Sequence, residues 1–99
     1  MSHRLDPVFR PQSVCLVGVS ADPHKLNGAP LPILRQHGFA GDIHLVNPKY
    51  DSIAGLPCHR SLREVPRGFD LAFLMVPAAE VPDALEAAAE RGARGAIVL

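Results

Sequence analysis

Four short, mostly apolar runs recur along the chain, and polar or helix-favouring segments separate them. The runs lie at residues 14–17, 43–46, 70–76 and 96–99. These runs predict strands, and the continuous run at residues 14–17 predicts a strand that is buried on both faces. A glycine or a proline-containing segment follows each of the first three runs, which is typical of strand ends.

Helices are predicted in two of the intervening segments. Residues 28–37 carry Pro30 and Pro32 in the first turn, where backbone N–H groups lack partners in any helix, and Gly38 suits the position after the last turn. Residues 78–91 are rich in Ala and Glu and are followed by a glycine. The residues expected to face the sheet are Leu31, Ile33 and Leu34 in the first helix and Val81, Leu85 and Ala88 in the second.

Shorter elements are predicted elsewhere. Ser61, with Glu64 three positions later, forms a capping-box pattern for one helical turn. Residues 49–60 are expected to be irregular, and residues 5–11 to form a turn or a helical lead-in. A short extended piece is expected near Ile53, Leu56 and Pro57.

The order of these elements is strand, helix, strand, helical turn, strand, helix, strand. Such alternation favours right-handed crossovers and a parallel sheet. The predicted fold is therefore α/β, a Rossmann-like parallel sheet flanked by helices, formed as one domain by residues 1–99, because 99 residues suffice for only one domain. The chain ends inside an apolar run, so we expect a domain truncated after its fourth main strand, a fragment of a larger protein.

Composition and charge exclude several classes of protein. Apolar residues make up 47% of the chain, too many for a disordered tail, and their runs are too short to cross a bilayer. Ten Lys and Arg balance ten Asp and Glu, so no extended basic face for nucleic acid is expected. Two cysteines cannot form a disulfide scaffold, and Cys15 is expected to be buried and reduced. The N-terminus lacks the apolar stretch of a signal peptide, which makes a cytoplasmic location the default.

The segment after the first predicted strand offers a phosphate site. Ligands of open α/β sheets bind beyond the carboxyl ends of the strands. Here Gly18 permits a tight turn, Ser20 offers a hydroxyl donor, and Lys25 adds a positive charge near the free N–H groups at the start of the helix. The glycine pattern of dinucleotide-binding loops is absent, because Ser20 and Pro23 replace its second and third glycines. A turn without any ligand is the alternative.

The segment after the second strand bears on which nucleotide binds. NAD-binding domains carry a carboxylate there, which accepts hydrogen bonds from the adenosine ribose. This chain has Asn47-Pro48-Lys49 instead. A cation suits a ligand with an additional phosphate at its adenosine end, as in NADP or coenzyme A, and an ordinary solvated lysine is the alternative. After the third strand, Val76-Pro77-Ala78 combines small and rigid residues against which adenine can lie.

No metal centre or catalytic group is predicted. The five histidines show no metal-ligand spacing, and Cys58-His59 lacks the second pair that a zinc site needs. There is no G-x-S-x-G nucleophile motif, and no Ser-His-Asp set can be argued from the sequence.

Five segments in a fixed order carry a family resemblance: residues 9–14, 17–23, 47–50, 53–55 and 76–78. Together they resemble the CoA-binding domain of ADP-forming acyl-CoA synthetases, which also opens the α-subunit of succinyl-CoA synthetase. The resemblance covers nearly the whole chain. It departs from the family at Val19, where Ala is usual, and at Cys15, in a strand that usually has Ala or Val.

The resemblance implies that the domain holds the nucleotide end of coenzyme A, or of an acyl-CoA, in an NAD-like fold. Catalysis in that family uses a phosphohistidine and a nucleotide-grasp domain far downstream, and related domains are fused to acetyltransferases. This chain is therefore expected to bind CoA without catalysing a reaction alone. Its expected partners are downstream ligase or acetyltransferase domains. Binding to nucleic acid or to a membrane is not expected. The family's contacts would fall on Ser20, Ala21, Asp22, Pro23, Lys49, Val76, Pro77 and Ala78, with a further one beginning at about Leu99.

Two other functions stay open at this point. One is an NAD(P)-binding module of an oxidoreductase, against which the missing carboxylate and the broken glycine pattern count. The other is a ligand-free regulatory or assembly domain whose loops contact proteins. The full set of candidate binding residues is Gly18, Ser20, Ala21, Asp22, Pro23, Lys25, Asn47, Lys49, Val76, Pro77 and Ala78.

Overall fold

Six strands form one sheet in the computed structural model, which describes residues 11–99. Nearly all of the predicted lead-in at residues 5–11 lies outside the described residues. The strands are β1 (Ser13–Val17), β2 (Asp42–Val46), β3 (Ser52–Ile53), β4 (Leu56–His59), β5 (Leu71–Leu74) and β6 (Gly95–Val98). All neighbouring strands are parallel except β3 and β4, which form an antiparallel hairpin. The predicted α/β, Rossmann-like fold is confirmed, with this hairpin added to it.

The β3–β4 hairpin corrects one prediction from the sequence. Where only a short extended piece was expected, β4 joins the main sheet by pairing Leu45 with Cys58 and Val46 with His59. The segment Leu56–His59 contains a proline and no run of β-branched residues, so its strand forms through pairing with β2 rather than through local preference. As a result β6 is the fifth parallel strand of the sheet, and not the fourth.

The strand order determines where a ligand can bind. The sheet reads β3-β4-β2-β1-β5-β6, so β1 is central and the chain first builds outward to β2 and β4. It then crosses back to β5 and β6 on the other side of β1. The gap between β1 and β5 is therefore the topological switch point, where open α/β sheets bind their ligands.

Two helices cover the opposite faces of the sheet. These are α1 (Pro30–Gln36) and α2 (Val81–Glu90), each preceded by a short 3-10 turn. A third 3-10 turn, Leu62–Glu64, follows β4 and is capped by Ser61, whose Oγ accepts a hydrogen bond from the Arg63 N–H at 3.2 Å. The predicted helices and the Ser61 cap are confirmed, whereas the Glu64 side chain makes no hydrogen bond to Ser61 in residues 11–99, so only half of the predicted capping box forms. None of the helices in residues 11–99 is long and apolar enough to span a bilayer.

The buried faces of both helices differ in part from the prediction. In α1, Leu31 is buried and Leu34 packs against the core, whereas Ile33 is 51% exposed. At about 100° per residue, Ile33 lies on the side opposite Leu31. In α2, Leu85 is 42% exposed, because small side chains let the helix lie close to the sheet. Its buried residues are Ala84, Ala87 and Ala88.

Alternate residues of β1 belong to the two cores. Cys15 and Val17 pack on the α2 side, and Leu16 packs on the α1 side. Cys15 is buried, as expected, and both cysteines are free thiols. Burial raises the pKa of the Cys15 thiol to about 12, so this thiol stays protonated and unreactive near neutral pH.

His44 is a titratable group within the sheet. It lies on β2, and its ring is 6.4 Å from that of Phe69. Burial lowers the pKa of His44; the carboxylate of Asp42 opposes this shift and His59 adds to it. The folded protein therefore resists protonation of His44 more than the unfolded chain does.

Stability is expected to fall as the pH drops below about 6.5, the ordinary histidine pKa, because the unfolded chain then binds a proton that the folded protein resists. His44→Gln removes this titration. The thermal midpoint of the wild type should fall more between about pH 7.5 and about pH 5.5 than that of the variant. His24→Gln, at an exposed loop position, is the matched control and should behave as the wild type. Equal falls in the wild type and in His44→Gln would contradict the assignment.

Candidate functional site

A cavity of about 610 Å³ lies at the carboxyl edge of the sheet, at the switch point. Its volume is within the range of about 300–1,000 Å³ that is usual for small-molecule sites. Three of its walls are connections that follow strands: the β1 loop (residues 18–29), the β2 turn (residues 47–50) and the β5 loop (residues 75–77). The segment after β4 and the helix α2 complete the walls. The predicted binding residues that line it are Gly18, Asn47, Lys49, Val76 and Pro77.

The remaining predicted residues are placed differently. A second cavity of about 270 Å³, on the α1 side of the β1 loop, is lined by Ser20, Ala21 and Pro23. Asp22, Lys25 and Ala78 line neither of these two cavities. The structure thus brings the three predicted loops together at one edge, with the β1 loop as the wall between two cavities.

Two glycines allow the β1 loop to pass close to neighbouring backbone. Gly18 has φ +84°, and a Cβ at this position would overlap the carbonyl oxygen of Met75. A Cβ at Gly28 would overlap the carbonyl oxygen of Asp22. The β1 loop can therefore take this path only where side chains are absent.

Two asparagine side chains hold successive carbonyl groups of the β1 loop. Asn27 Nδ2 donates to the Gly18 carbonyl oxygen at 2.8 Å, and Asn47 Nδ2 donates to the Val19 carbonyl oxygen at 2.8 Å. We call this pair the asparagine clamp. The N–H of Val19, on the far side of the Gly18–Val19 peptide, makes no hydrogen bond within residues 11–99. The clamp therefore fixes the orientation of two successive peptide groups of the β1 loop, and Val19 itself is fully buried.

Ser20 also helps to fix the β1 loop. Its Oγ accepts a hydrogen bond from the Asp22 N–H at 3.1 Å, and an Asp22 carboxylate oxygen accepts one from the His24 N–H at 2.9 Å. Ser20 is 6% exposed. Ser20 Oγ therefore serves as a hydrogen-bond acceptor that stabilises the β1 loop.

Tyr50 connects the β2 turn to the β1 loop. Its ring packs against the core on the α1 side. The Ser20 hydroxyl and the Ala21 backbone amide, as hydrogen-bonding groups, lower the pKa of the Tyr50 phenol, and the positive charges of Lys25 and Lys49 lower it further. The phenol of Tyr50 therefore faces the part of the β1 loop that contains Ser20 and Ala21.

Two arginines lie on the wall of the main cavity after β4, and both are paired with carboxylates. Arg63 forms ion pairs with Asp83 at 3.5 Å and with Glu90 at 3.1 Å, which attach the third 3-10 turn to α2. Arg60 pairs with Asp51 at 3.3 Å. Within residues 11–99, no three metal-ligating side chains are grouped closely enough to hold an ion.

Sequence reasoning missed Asn27, Tyr50, Arg60 and Arg63. The last two follow β4, which the sequence did not place in the sheet. Asn27 stands at the end of a loop already identified as a phosphate site, and its amide was the available signal. Tyr50 is adjacent to Lys49, but nothing local indicates that its phenol reaches the β1 loop.

Comparison with known proteins gives the family. Residues 12–99 match the model of the CoA binding domain family. The chain is 36% identical, over 96% of its length, to an ADP-forming acetate–CoA ligase of Archaeoglobus fulgidus, and 38% identical, over 99%, to a trans-feruloyl-CoA synthase of an unknown prokaryote. It spans 14% of the length of each of these relatives.

A solved structure agrees with these sequence matches. The dinucleotide-forming acetyl-coenzyme A synthetase 1 of Candidatus Korarchaeum cryptofilum, in its apo form, superposes with a TM-score of 0.86 at 32% identity. The match covers 93% of this chain and 20% of that protein. On the strength of the family model, the sequence relatives and the shared fold, this chain belongs to the CoA-binding domain family found in ADP-forming acyl-CoA synthetases.

Proposed function

We propose that this domain binds coenzyme A, or an acyl-CoA, at the carboxyl edge of the sheet through the nucleotide end of the ligand. One observation carries the proposal. Lys49, and no carboxylate, follows β2 on the wall of the cavity at the switch point. A cation there suits the phosphate that coenzyme A bears on its adenosine ribose, and a carboxylate would suit the free ribose hydroxyls of NAD.

The proposed binding mode assigns a part of the ligand to each loop. The β1 loop, which contains Gly18, Ala21, Asp22 and Pro23, binds the diphosphate through backbone N–H groups and the Ser20 hydroxyl. Lys49 neutralises the ribose phosphate, and Lys25 adds positive charge to the β1 loop. Val76 and Pro77, together with Asn47 on the facing β2 turn, line the adenine pocket, and Ala78 follows them in the chain outside the cavity lining.

We further propose that chemistry takes place elsewhere in a longer protein, either an ADP-forming acyl-CoA ligase or a CoA-binding protein fused to an acetyltransferase. The relatives that are 36% and 38% identical are ligases or synthases of which this chain spans 14%. The nucleotide-binding module would then supply CoA to downstream domains. The two free thiols accord with a cytoplasmic protein.

Titration calorimetry with CoA, dephospho-CoA, NAD and NADP tests this function. We expect CoA to bind most tightly and dephospho-CoA to bind about 10-fold or more weakly, the factor expected from one charge-assisted contact. Binding of NAD alone would instead favour an oxidoreductase module. No binding of any nucleotide, together with a concentration-dependent dimer in sedimentation, would favour a ligand-free assembly domain.

A further inference from the structure

The Asn47 side chain uses both ends of its amide within the protein. Nδ2 donates to the Val19 carbonyl oxygen at 2.8 Å, and Oδ1 accepts a hydrogen bond from the Lys49 N–H at 2.9 Å. One side chain therefore joins the β1 loop to the turn that carries Lys49. It stands at the end of β2, where NAD-binding domains have the carboxylate that holds the ribose.

The backbone of Asn47 is anchored as firmly as its side chain. Its N–H donates to the His59 carbonyl oxygen at 2.9 Å, which ties residue 47 to the end of β4. Its carbonyl oxygen accepts hydrogen bonds from the Cys58 thiol at 3.5 Å and from the Tyr50 N–H at 3.3 Å. With the backbone held in this way, the amide has a fixed position from which to set both loops.

Only an amide of this length satisfies the two contacts. Aspartate can accept from the Lys49 N–H, but it cannot donate to the Val19 carbonyl oxygen, and its second oxygen would oppose that carbonyl. Aspartate would also place a negative charge beside Lys49 and so weaken the attraction of that lysine for a phosphate. An asparagine-to-aspartate change therefore alters one donor and one charge without a change in size.

We propose that Asn47 is the positioning residue that sets the specificity of this site for a ligand with a phosphate on its adenosine ribose. It orients the β1 loop and the Lys49 turn together, and it keeps the end of β2 free of the carboxylate that would favour an unphosphorylated ribose. The proposal rests on the proposed function and adds to it the residue that couples the diphosphate subsite to the ribose-phosphate subsite.

Asn27 provides a matched control within the same clamp. It holds the neighbouring Gly18 carbonyl oxygen at the same distance of 2.8 Å, but it does not bond to the β2 turn. Asn27→Asp therefore disturbs the β1 loop without adding a carboxylate next to Lys49 along the chain. Asn47→Asp thus changes the side chain that bonds to the Lys49 N–H, and Asn27→Asp does not.

The test compares affinities for CoA and dephospho-CoA by calorimetry in the wild type, Asn47→Asp and Asn27→Asp. Asn27→Asp should weaken both ligands by about 10-fold, as expected for one lost loop contact. Asn47→Asp should weaken dephospho-CoA by about 10-fold and CoA by about 100-fold, because it also offsets the charge of Lys49. In the Lys49→Ala background, the additional loss for CoA should be smaller, because only the direct repulsion between the new carboxylate and the phosphate is left. Thermal unfolding shows whether each variant is folded. If Asn47→Asp does not fold, Asn47→Ala, which adds no charge, replaces it in the comparison.

The outcomes separate the two proposals. Suppose that the wild type binds CoA but that Asn47→Asp, like Asn27→Asp, weakens CoA and dephospho-CoA by equal factors. Asn47 then only supports the fold, and the specificity role is wrong. The role is also wrong if Asn47→Asp binds CoA as the wild type does. With Asn47→Ala as the substitute variant, support requires a larger loss for CoA than for dephospho-CoA. A wild type that binds neither ligand overturns the proposed function, and this role with it.

Discussion

Gly18→Ala is expected to destabilise the domain by about 3 kcal/mol, through two separate effects. The left-handed backbone at φ +84° costs an L-residue about 1–2 kcal/mol. The added methyl group would overlap the Met75 carbonyl oxygen, and such overpacking against fixed backbone costs about 1–3 kcal/mol more. Because β1 and β5 diverge if this contact opens, the cavity should be lost together with the stability. Chemical denaturation gives the free energy of unfolding.

Two other glycines separate these effects. Gly38 has φ +73°, but no atom lies within 4 Å of the place that an added methyl group would take, so Gly38→Ala should show only the backbone cost of about 1–2 kcal/mol. At Gly28 φ is outside the left-handed region, but a Cβ would overlap the Asp22 carbonyl oxygen. Gly28→Ala should therefore show only the overlap. If Gly18→Ala lowers the free energy of unfolding by no more than Gly38→Ala does, the backbone at Met75 in the β5 loop moves aside easily for the added methyl group.

Lys49→Ala is expected to weaken CoA binding by about 30-fold and dephospho-CoA binding by less than about 3-fold. A charge-assisted hydrogen bond contributes about 1.5–3 kcal/mol, and Lys49 is exposed, so the lower part of that range applies. Dephospho-CoA lacks only the ribose phosphate, which makes the ratio of the two affinities specific to this contact. Calorimetry with both ligands at one fixed salt concentration measures it.

Lys25→Ala is the control for net charge. It also removes one lysine, but from the β1 loop, where the proposed contact is with the diphosphate that both ligands share. It should weaken both by similar factors. An equal loss of both ligands in Lys49→Ala would remove Lys49 from the ribose-phosphate role and leave the remaining contacts of the proposal unaffected.

The sequence predicts the elements of this fold whose signals are local. The apolar runs around Leu16, Leu45 and Leu74 identify three strands, because burial on both faces requires such runs. The segment Leu56–His59 is predicted only as part of a short extended piece, since its place in the sheet depends on pairing with β2. The predicted buried face of α2 is wrong at Leu85, because close packing on the sheet selects the small side chains of Ala84 and Ala87.

The candidate site likewise contains residues that local signals in the sequence predict and residues that they do not. Gly18 follows β1 directly and Lys49 lies in the turn after β2, so a topological rule alone brings them to the main cavity. Asn27, Tyr50 and Arg60 reach the site through tertiary contacts that no spacing in the sequence encodes. The clamp is one example, because Asn27 and Asn47 are separated by a helix and a strand and yet hold adjacent carbonyl groups.

The central position of β1 also governs how the domain folds. Ser13 begins the first strand, yet its Oγ and carbonyl oxygen accept hydrogen bonds from the Asp70 N–H, 57 positions later. Pairings of such long range are slow to form, because most of the chain must be ordered before they contribute stability. On a ribosome, β1 would emerge first and wait for β5 before the centre of the sheet could close. The candidate cavity lies between these same two strands, so it would form only after β5 has paired with β1 and α2 has been placed.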